Sequence, residues 1–379
     1  MNLKKHFIFV TSLLFFLILA ACGGDEQISE ASESNESADE LPLEEDVNNE
    51  EDETEIEEIV EISEEEYIVV VANEKAETMS VIYYPENRQE VIQLDGKAHN
   101  LEVNKETNLV WLTITHPHSE EAHGAAGHGE ELAVNEPSVV AYDLDTLEKV
   151  EVYEVGDHPA HVSITQDGNI VLVTNSGDDT ISVIDRISGE TATIEVGSYP
   201  HGLRVSPDQN YAYVANMRSA DVSIISIETK EEINRVQVGE GAVQTGFSHD
   251  GLYAFVGLHV DNQLAIINTE TQEVIEKVDV GVGPVQMYAT YDNEYVVVAN
   301  QGSEENPSET ISIISLNNFE VVKEITLGLG AHGIVISKDS RYAFVTNMFE
   351  ETISVVDLEL LEEVERIEVG LYPNGISIN

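Results

Sequence analysis

Tyr211-Ala212-Tyr213-Val214-Ala215-Asn216 is followed, after a polar turn, by Asp221-Val222-Ser223-Ile224-Ile225-Ser226, and this pair of short apolar runs decides the fold. A charged turn, a run ending in Val238-Gly239, a fourth run from Ala242 and an Asp turn complete the unit. The unit before it, 170–210, has the same order, so the chain repeats itself about every forty residues. Four short strands per period predict the blade of a β-propeller. Runs aligning with 211–216 stand at 68–73, 109–115, 170–175, 253–258, 295–300 and 342–347, which makes seven blades. The chain opens on the second strand of a blade and ends, at 373–379, on a segment matching the innermost strand of the others. The expected fold is therefore all-β: a seven-bladed propeller of four-stranded blades over 67–379, with N- and C-terminal strands completing one blade. Such closure removes free sheet edges.

Two pairs of runs carry a family resemblance: Leu172-Val173-Thr174-Asn175 with Thr180-Ile181-Ser182-Val183-Ile184-Asp185, and Phe344-Val345-Thr346-Asn347 with Thr352-Ile353-Ser354-Val355-Val356-Asp357. They resemble the YVTN-type propeller repeats of secreted and surface-layer proteins, across 67–379. The resemblance implies the fold and leaves the role open, because that family has many. The Asn is replaced at Thr115 and Leu258. Where present, it is read as bonding the turn after the second strand.

The N-terminus has Lys4 and Lys5, an apolar run from Phe7 to Ala21, and Leu19-Ala20-Ala21-Cys22-Gly23. By its parts, 1–21 is an export signal, and its end resembles the bacterial lipobox. That implies lipid attachment at Cys22 and anchoring at the extracytoplasmic face of the cell membrane. Cys22 is the lone cysteine, so the rest can form no internal disulfide or thiolate metal site. Residues 22–66 are rich in Asp, Glu, Ser and Asn without Lys or Arg, and read as a disordered acidic tether. The chain has 73 Asp plus Glu against 17 Lys plus Arg, a formal net charge of −56, which excludes nucleic acid as a partner.

With no thiolate in the domain, histidine is the main metal ligand and proton carrier left. If each innermost strand descends from the top of the ring, the loop leading into it and the loop between second and third strands share the top face. His99, His158, His161, His201 and His332 fall in the first kind of loop, and His116, His118, His123, His128 and His259 in the second; His249 falls in a bottom turn. Aligning the segments that lead into the innermost strands puts one polar residue per blade at one level, in the order Asn374, His99, His161, His201, Gln244, Gln286, His332. The three consecutive histidines, His99, His161 and His201, form a candidate tripod with an open position, and Gln244, Gln286 and Asn374 complete a channel ring. The alternative is a structural ring in which these groups bond exposed backbone.

The largest insertion, 115–136, holds His116, His118, His123 and His128 among Gly and Glu, a compositional metal signal. Imidazoles with carboxylates favour zinc, with copper or nickel as alternatives. The reading is of a membrane-anchored propeller that captures or delivers a transition metal, with a metal transporter as partner. The alternative is a non-catalytic surface scaffold that binds a protein or cell-wall polymer. The chain is expected not to be an enzyme: lactonase-like or metal-dependent hydrolase activity ranks third, since no nucleophile elbow, Gly-rich phosphate loop or spaced acid/base pair appears.

Overall fold

The computed structural model describes residues 66–115 and 136–379. Cys22, the leader and the acidic stretch lie outside the described residues, as does the loop carrying His116, His118, His123 and His128. The described chain is seven four-stranded antiparallel sheets. Blade 1 joins Pro373–Ile378 to Tyr67–Asn73, Thr78–Tyr84 and Arg88–Gln93. Blades 2 to 7 follow in order and start at Lys97, Pro159, Pro200, Ala242, Pro284 and Ala331. Each innermost strand touches the next, and the seventh touches that of blade 1, so the ring is closed.

Burial follows from position in the blade. Inner strands are almost wholly buried, as in Ala331–Ile336 and Pro373–Ile378, whereas the outermost alternate, as in Glu362–Glu368. An inner strand is covered on both faces by its neighbours, while an outer strand meets solvent on one. The outer edges carry acidic side chains that discourage pairing with other chains. Core clusters join neighbouring blades: Trp111, Val139, Val162 and Val171 pack blade 2 on blade 3.

Blade 1 closes the ring with main-chain register Val69↔Ile378, Val70↔Ser377 and Val71↔Ile376. Aromatic packing supports it, with Tyr84 edge-on to Phe344 at 5.2 Å and Tyr67 against Phe344 at 6.3 Å. Burying such rings contributes about 1.5–3 kcal/mol each.

The repeated Asn is a clasp. Asn175 Nδ2 donates to Thr180 Oγ1 and Ser182 Oγ at 3.0 Å each, while its Oδ1 accepts the Gly156 N–H. Asn73, Asn216, Asn300 and Asn347 make the equivalent bonds to the third strand. The Asn ties the second strand to the third beyond the single turn foreseen from sequence. One departure moves by a residue: Ala98 pairs with Ile114, as Pro200 pairs with Asn216, so Ile114 replaces the clasp in blade 2, not Thr115.

Candidate metal centre

The top mouth, where the inner strands begin, gathers His99, His161 and His201, with one ligand atom from each within 4.8 Å of the others. The three come from consecutive blades, 2, 3 and 4, because ring closure brings inner strands closest at the axis. Among the described residues this is the cluster with metal-ligand geometry. His332, Gln244, Gln286 and Asn374 lie outside it.

The expectation of a single level is corrected. Counted from the inner-strand residue paired with the end of the second strand (Ala98, Pro159, Pro200, Ala242, Pro284, Ala331 or Pro373), His99, His201, His332 and Asn374 are one residue on. His161, Gln244 and Gln286 are two residues on. A register shift follows these start residues, for example between Pro159 and Val162, and the polar side chain of a blade comes from either of its two residues. Glycine makes the room: a Cβ on Gly202 would sit 1.9 Å from Gln244 Oε1 and 2.5 Å from its Cα. Gly333 and Gly375 similarly face neighbouring backbone at 2.6 and 2.8 Å.

Hydrogen bonds orient the rings. Glu74 Oε2 lies 3.2 Å from His99 Nδ1 and accepts from Asn374 Nδ2 at 2.7 Å. Burial alone would raise the Glu74 carboxyl, but His99 and Asn374 hold it down to about 2, so it is ionised at neutral pH. Asn374 Nδ2 also lies 3.0 Å from His99 Nδ1, so that nitrogen either accepts from Asn374 or donates to the ionised Glu74 oxygen. His201 Nδ1 donates to Val243 O at 3.0 Å. The two Nε2 atoms face each other 3.2 Å apart. With Nδ1 accepting from Asn374, His99 Nε2–H donates to His201 Nε2; with Nδ1 donating to Glu74, two Nε2 lone pairs face each other and a cation between them relieves the repulsion.

His161 is arranged differently. Gln244 Oε1 accepts the Thr245 N–H, which turns Gln244 Nε2 to donate to His161 Nδ1 at 3.2 Å. That puts the proton of neutral His161 on Nε2, which is buried and has no partner among the described residues. Burial first, and neighbouring imidazoles second, lower His201 to about 3 and push His161 well below the ordinary range. His332, with Nδ1 on Asn374 O at 3.2 Å, is also lowered to about 3. These rings are neutral at pH 7, the state in which imidazole binds metal.

Glu74 was not foreseen from sequence. It follows Asn73 at the top of blade 1, and its two partners come from strands distant in sequence. A carboxylate behind a ligating imidazole is the usual outer partner of such sites.

The family model of the cytochrome D1 heme domain matches residues 165–299. No curated protein matches the sequence. Hydrazine synthase of Kuenenia stuttgartiensis is similar in structure at 17% identity and TM-score 0.61, over 74% of this chain and 89% of that one. A functionally unknown protein of Desulfotomaculum acetoxidans DSM 771 is similar at 15% identity and TM-score 0.67, over 82% and 98%. The dihydro-heme d1 dehydrogenase NirN, in complex with DHE, is similar at 14% identity and TM-score 0.57, over 82% and 74%. At these identities the likeness in structure establishes the fold. The expectation that the chain is not an enzyme is corrected by these matches: the family model that matches 165–299 is of a heme domain, and the proteins sharing the fold include a synthase and a dehydrogenase. The family match, over part of the chain, suggests a heme-type cofactor or a related role.

The tripod itself does not fit a macrocycle. A heme iron is ringed by four pyrrole nitrogens and takes one protein ligand on each face, whereas three imidazoles converging within 4.8 Å approach from one side. Their donor set fits a bare ion.

Proposed function

We propose that the chain is a metal-dependent enzyme whose centre is a mononuclear ion, zinc in the first instance and copper as the alternative, held by His99, His161 and His201. The observation that carries this reading is the convergence of one ligand atom each from His99, His161 and His201 within 4.8 Å, with His201 Nε2 left free of a proton by the Nδ1–H bond to Val243 O and the Glu74 carboxylate standing behind His99. Three imidazoles leave a fourth position open, as in catalytic rather than structural zinc sites. A bound zinc supplies a Lewis acid that lowers the pKa of its water. Glu74 orients His99 and strengthens it as a ligand. His161 would ligate through Nε2 only with its proton on Nδ1, which would require Gln244 to give up the Thr245 N–H bond and turn its oxygen to His161. The His-rich tract 116–135 supplies the ion to the mouth, and lipid at Cys22 holds the enzyme on the outer face of a membrane.

Metal analysis of the chain, stripped with chelator and reloaded, should give one zinc per chain. Changing His99, His161 and His201 together to Ala should weaken binding by more than the roughly 10–100-fold that outer partners contribute. Unchanged stoichiometry and affinity would end the tripod reading. A screen of esters and lactones should find turnover that follows zinc occupancy; a loaded site with no metal-dependent turnover would defeat the enzymatic part and leave the ion. Deleting residues 117–131 should slow loading.

A further inference from the structure

At the opposite end of the channel the inner strands of blades 2 to 7 each turn into a second strand, and the second residue of each turn faces the axis. These six, Lys105, Gln166, Pro207, His249, Tyr291 and Lys338, all line one cavity of about 550 Å³ at the bottom mouth. Pockets of this size hold small organic ligands. The next residue of each turn is acidic, and its carboxylate is held within the turn or by a neighbouring amide. Asp167, Asp208, Asp250, Asp292 and Asp339 accept the Thr or Ser hydroxyl that opens their own turn, at 2.5–2.7 Å. Glu106 accepts from Gln166 at 2.9 Å. In a chain with 73 acidic and 17 basic residues, the six axis-facing positions hold two lysines and no acid, while Glu102 and Glu106 also line the cavity.

Those lysines are not neutralised. Among the described residues neither Lys105 nor Lys338 has a carboxylate within ion-pair distance, and Lys105 is lowered by burial and by the charge of Lys338. They come together because blade 1, made from the two chain ends, has no turn between them. Deeper in the cavity, Arg204 gives one N–H to Glu102 at 2.6 Å. Its other donors have no acceptor recorded among the described residues. One wall is flat: His249 stacks on Tyr291 at 3.9 Å and 17°, with Tyr288 at 5.9 Å from His249. Burial keeps His249 below its ordinary range, so this wall is neutral.

The geometry points to a second site here, for a planar organic anion: acid groups on Lys105, Lys338 and Arg204, and an aromatic face against His249 and Tyr291. Neighbouring cations that form no ion pair of their own are stabilised when an anion enters, and flat rings favour an offset-stacked partner. The site is independent of the metal at the top mouth.

Calorimetry on the whole chain at low salt tests it, with isophthalate and phenyl phosphate as the two anions and isophthalamide as the uncharged control. One anion should bind with unit stoichiometry and weaken as salt rises. The better of the two tells whether carboxylate or phosphate is the natural group. Lys105→Gln with Lys338→Gln should weaken it at least tenfold, and Tyr291→Ala should weaken it while leaving any binding of inorganic phosphate unchanged. Both lysines are exposed, so these variants keep the fold, checked by circular dichroism. Equal binding of isophthalamide, unchanged affinity in the lysine variants, or no binding of either anion at millimolar concentration would overturn the site. Loss of anion binding in the histidine-tripod variant would overturn it too, by placing the ligand at the top.

Discussion

The two mouths of the channel are built from the same seven strands and differ in almost every chemical respect. At the top, the first and second residues after each inner-strand start supply imidazoles and amides, buried at His161, His332, Gln244, Gln286 and Asn374, with His161, His201 and His332 lowered so that they are neutral at pH 7. At the bottom, the second residue of each exposed turn supplies lysines and stacked aromatics. The difference teaches where a propeller keeps its freedom. The Asn clasps and strand registers repeat because each fastens one strand to the next, so variation is confined to one or two residues per blade at either end. Buried positions at the axis favour groups that stay neutral and share hydrogen bonds, whereas exposed turns accept full charge at little cost.

The largest expected effect breaks the top mouth and spares the bottom. Gly202→Val drives a side chain into Gln244, whose Cα would stand 2.5 Å from the new Cβ. Denaturant unfolding should show a loss of roughly 3 kcal/mol. Metal binding should be lost with it, because Gln244 is what holds His161. Isophthalate binding should survive under conditions where the variant is folded; losing it equally would mean that the two mouths are coupled.

A smaller effect sharpens the comparison. Glu74→Gln keeps the shape of the side chain and removes the ionised acceptor behind His99. Zinc affinity should fall about 10–100-fold, as for other outer-partner changes, with the anion site untouched. Unaltered affinity, measured by competition with a chromogenic chelator, would leave Glu74 a structural role only.

The smallest effect concerns pH. His332 is lowered to about 3 by burial and by the charge of His99, against an ordinary value of 6.5. Between these values the unfolded chain takes up a proton that the folded chain refuses. Its contribution to stability is therefore fully present above about 6.5 and is lost as pH falls toward 3. His332→Gln should lose less stability than the parent between pH 7 and pH 5. Urea midpoints at pH 7 and pH 5 that shift equally in both proteins would contradict the assignment. The bottom mouth should show no such dependence on His332.

The fold was legible because strand period, turn chemistry and repeat length agree. The run at 211–216 is the strand Tyr211–Asn216, and the ends pair as Val69↔Ile378. His99, His161 and His201 were legible as residues converging on the axis, since equivalent segments of a closed ring meet there. Their tiers were not. His161 follows Pro159-Ala160 while His201 follows Pro200 directly, and only strand pairing shows that the two side chains start a residue apart. Glu74 was hidden because an acidic loop residue is unremarkable in so acidic a chain. It gains meaning only when ring closure sets it against His99 and Asn374. The bottom mouth was hidden for a similar reason: Lys105 and Lys338 each read as one turn residue, 233 positions apart by the numbering.

By itself the sequence determined the number of blades, the closure by the two chain ends and which side chains could reach the axis, because periodicity and repeat length are local properties written residue by residue. The tertiary structure alone decided which imidazole nitrogens face one another, which carboxylate stands behind them and which cations share a cavity. Those are distances between blades, set by how seven strands close on one another, and no single segment contains them.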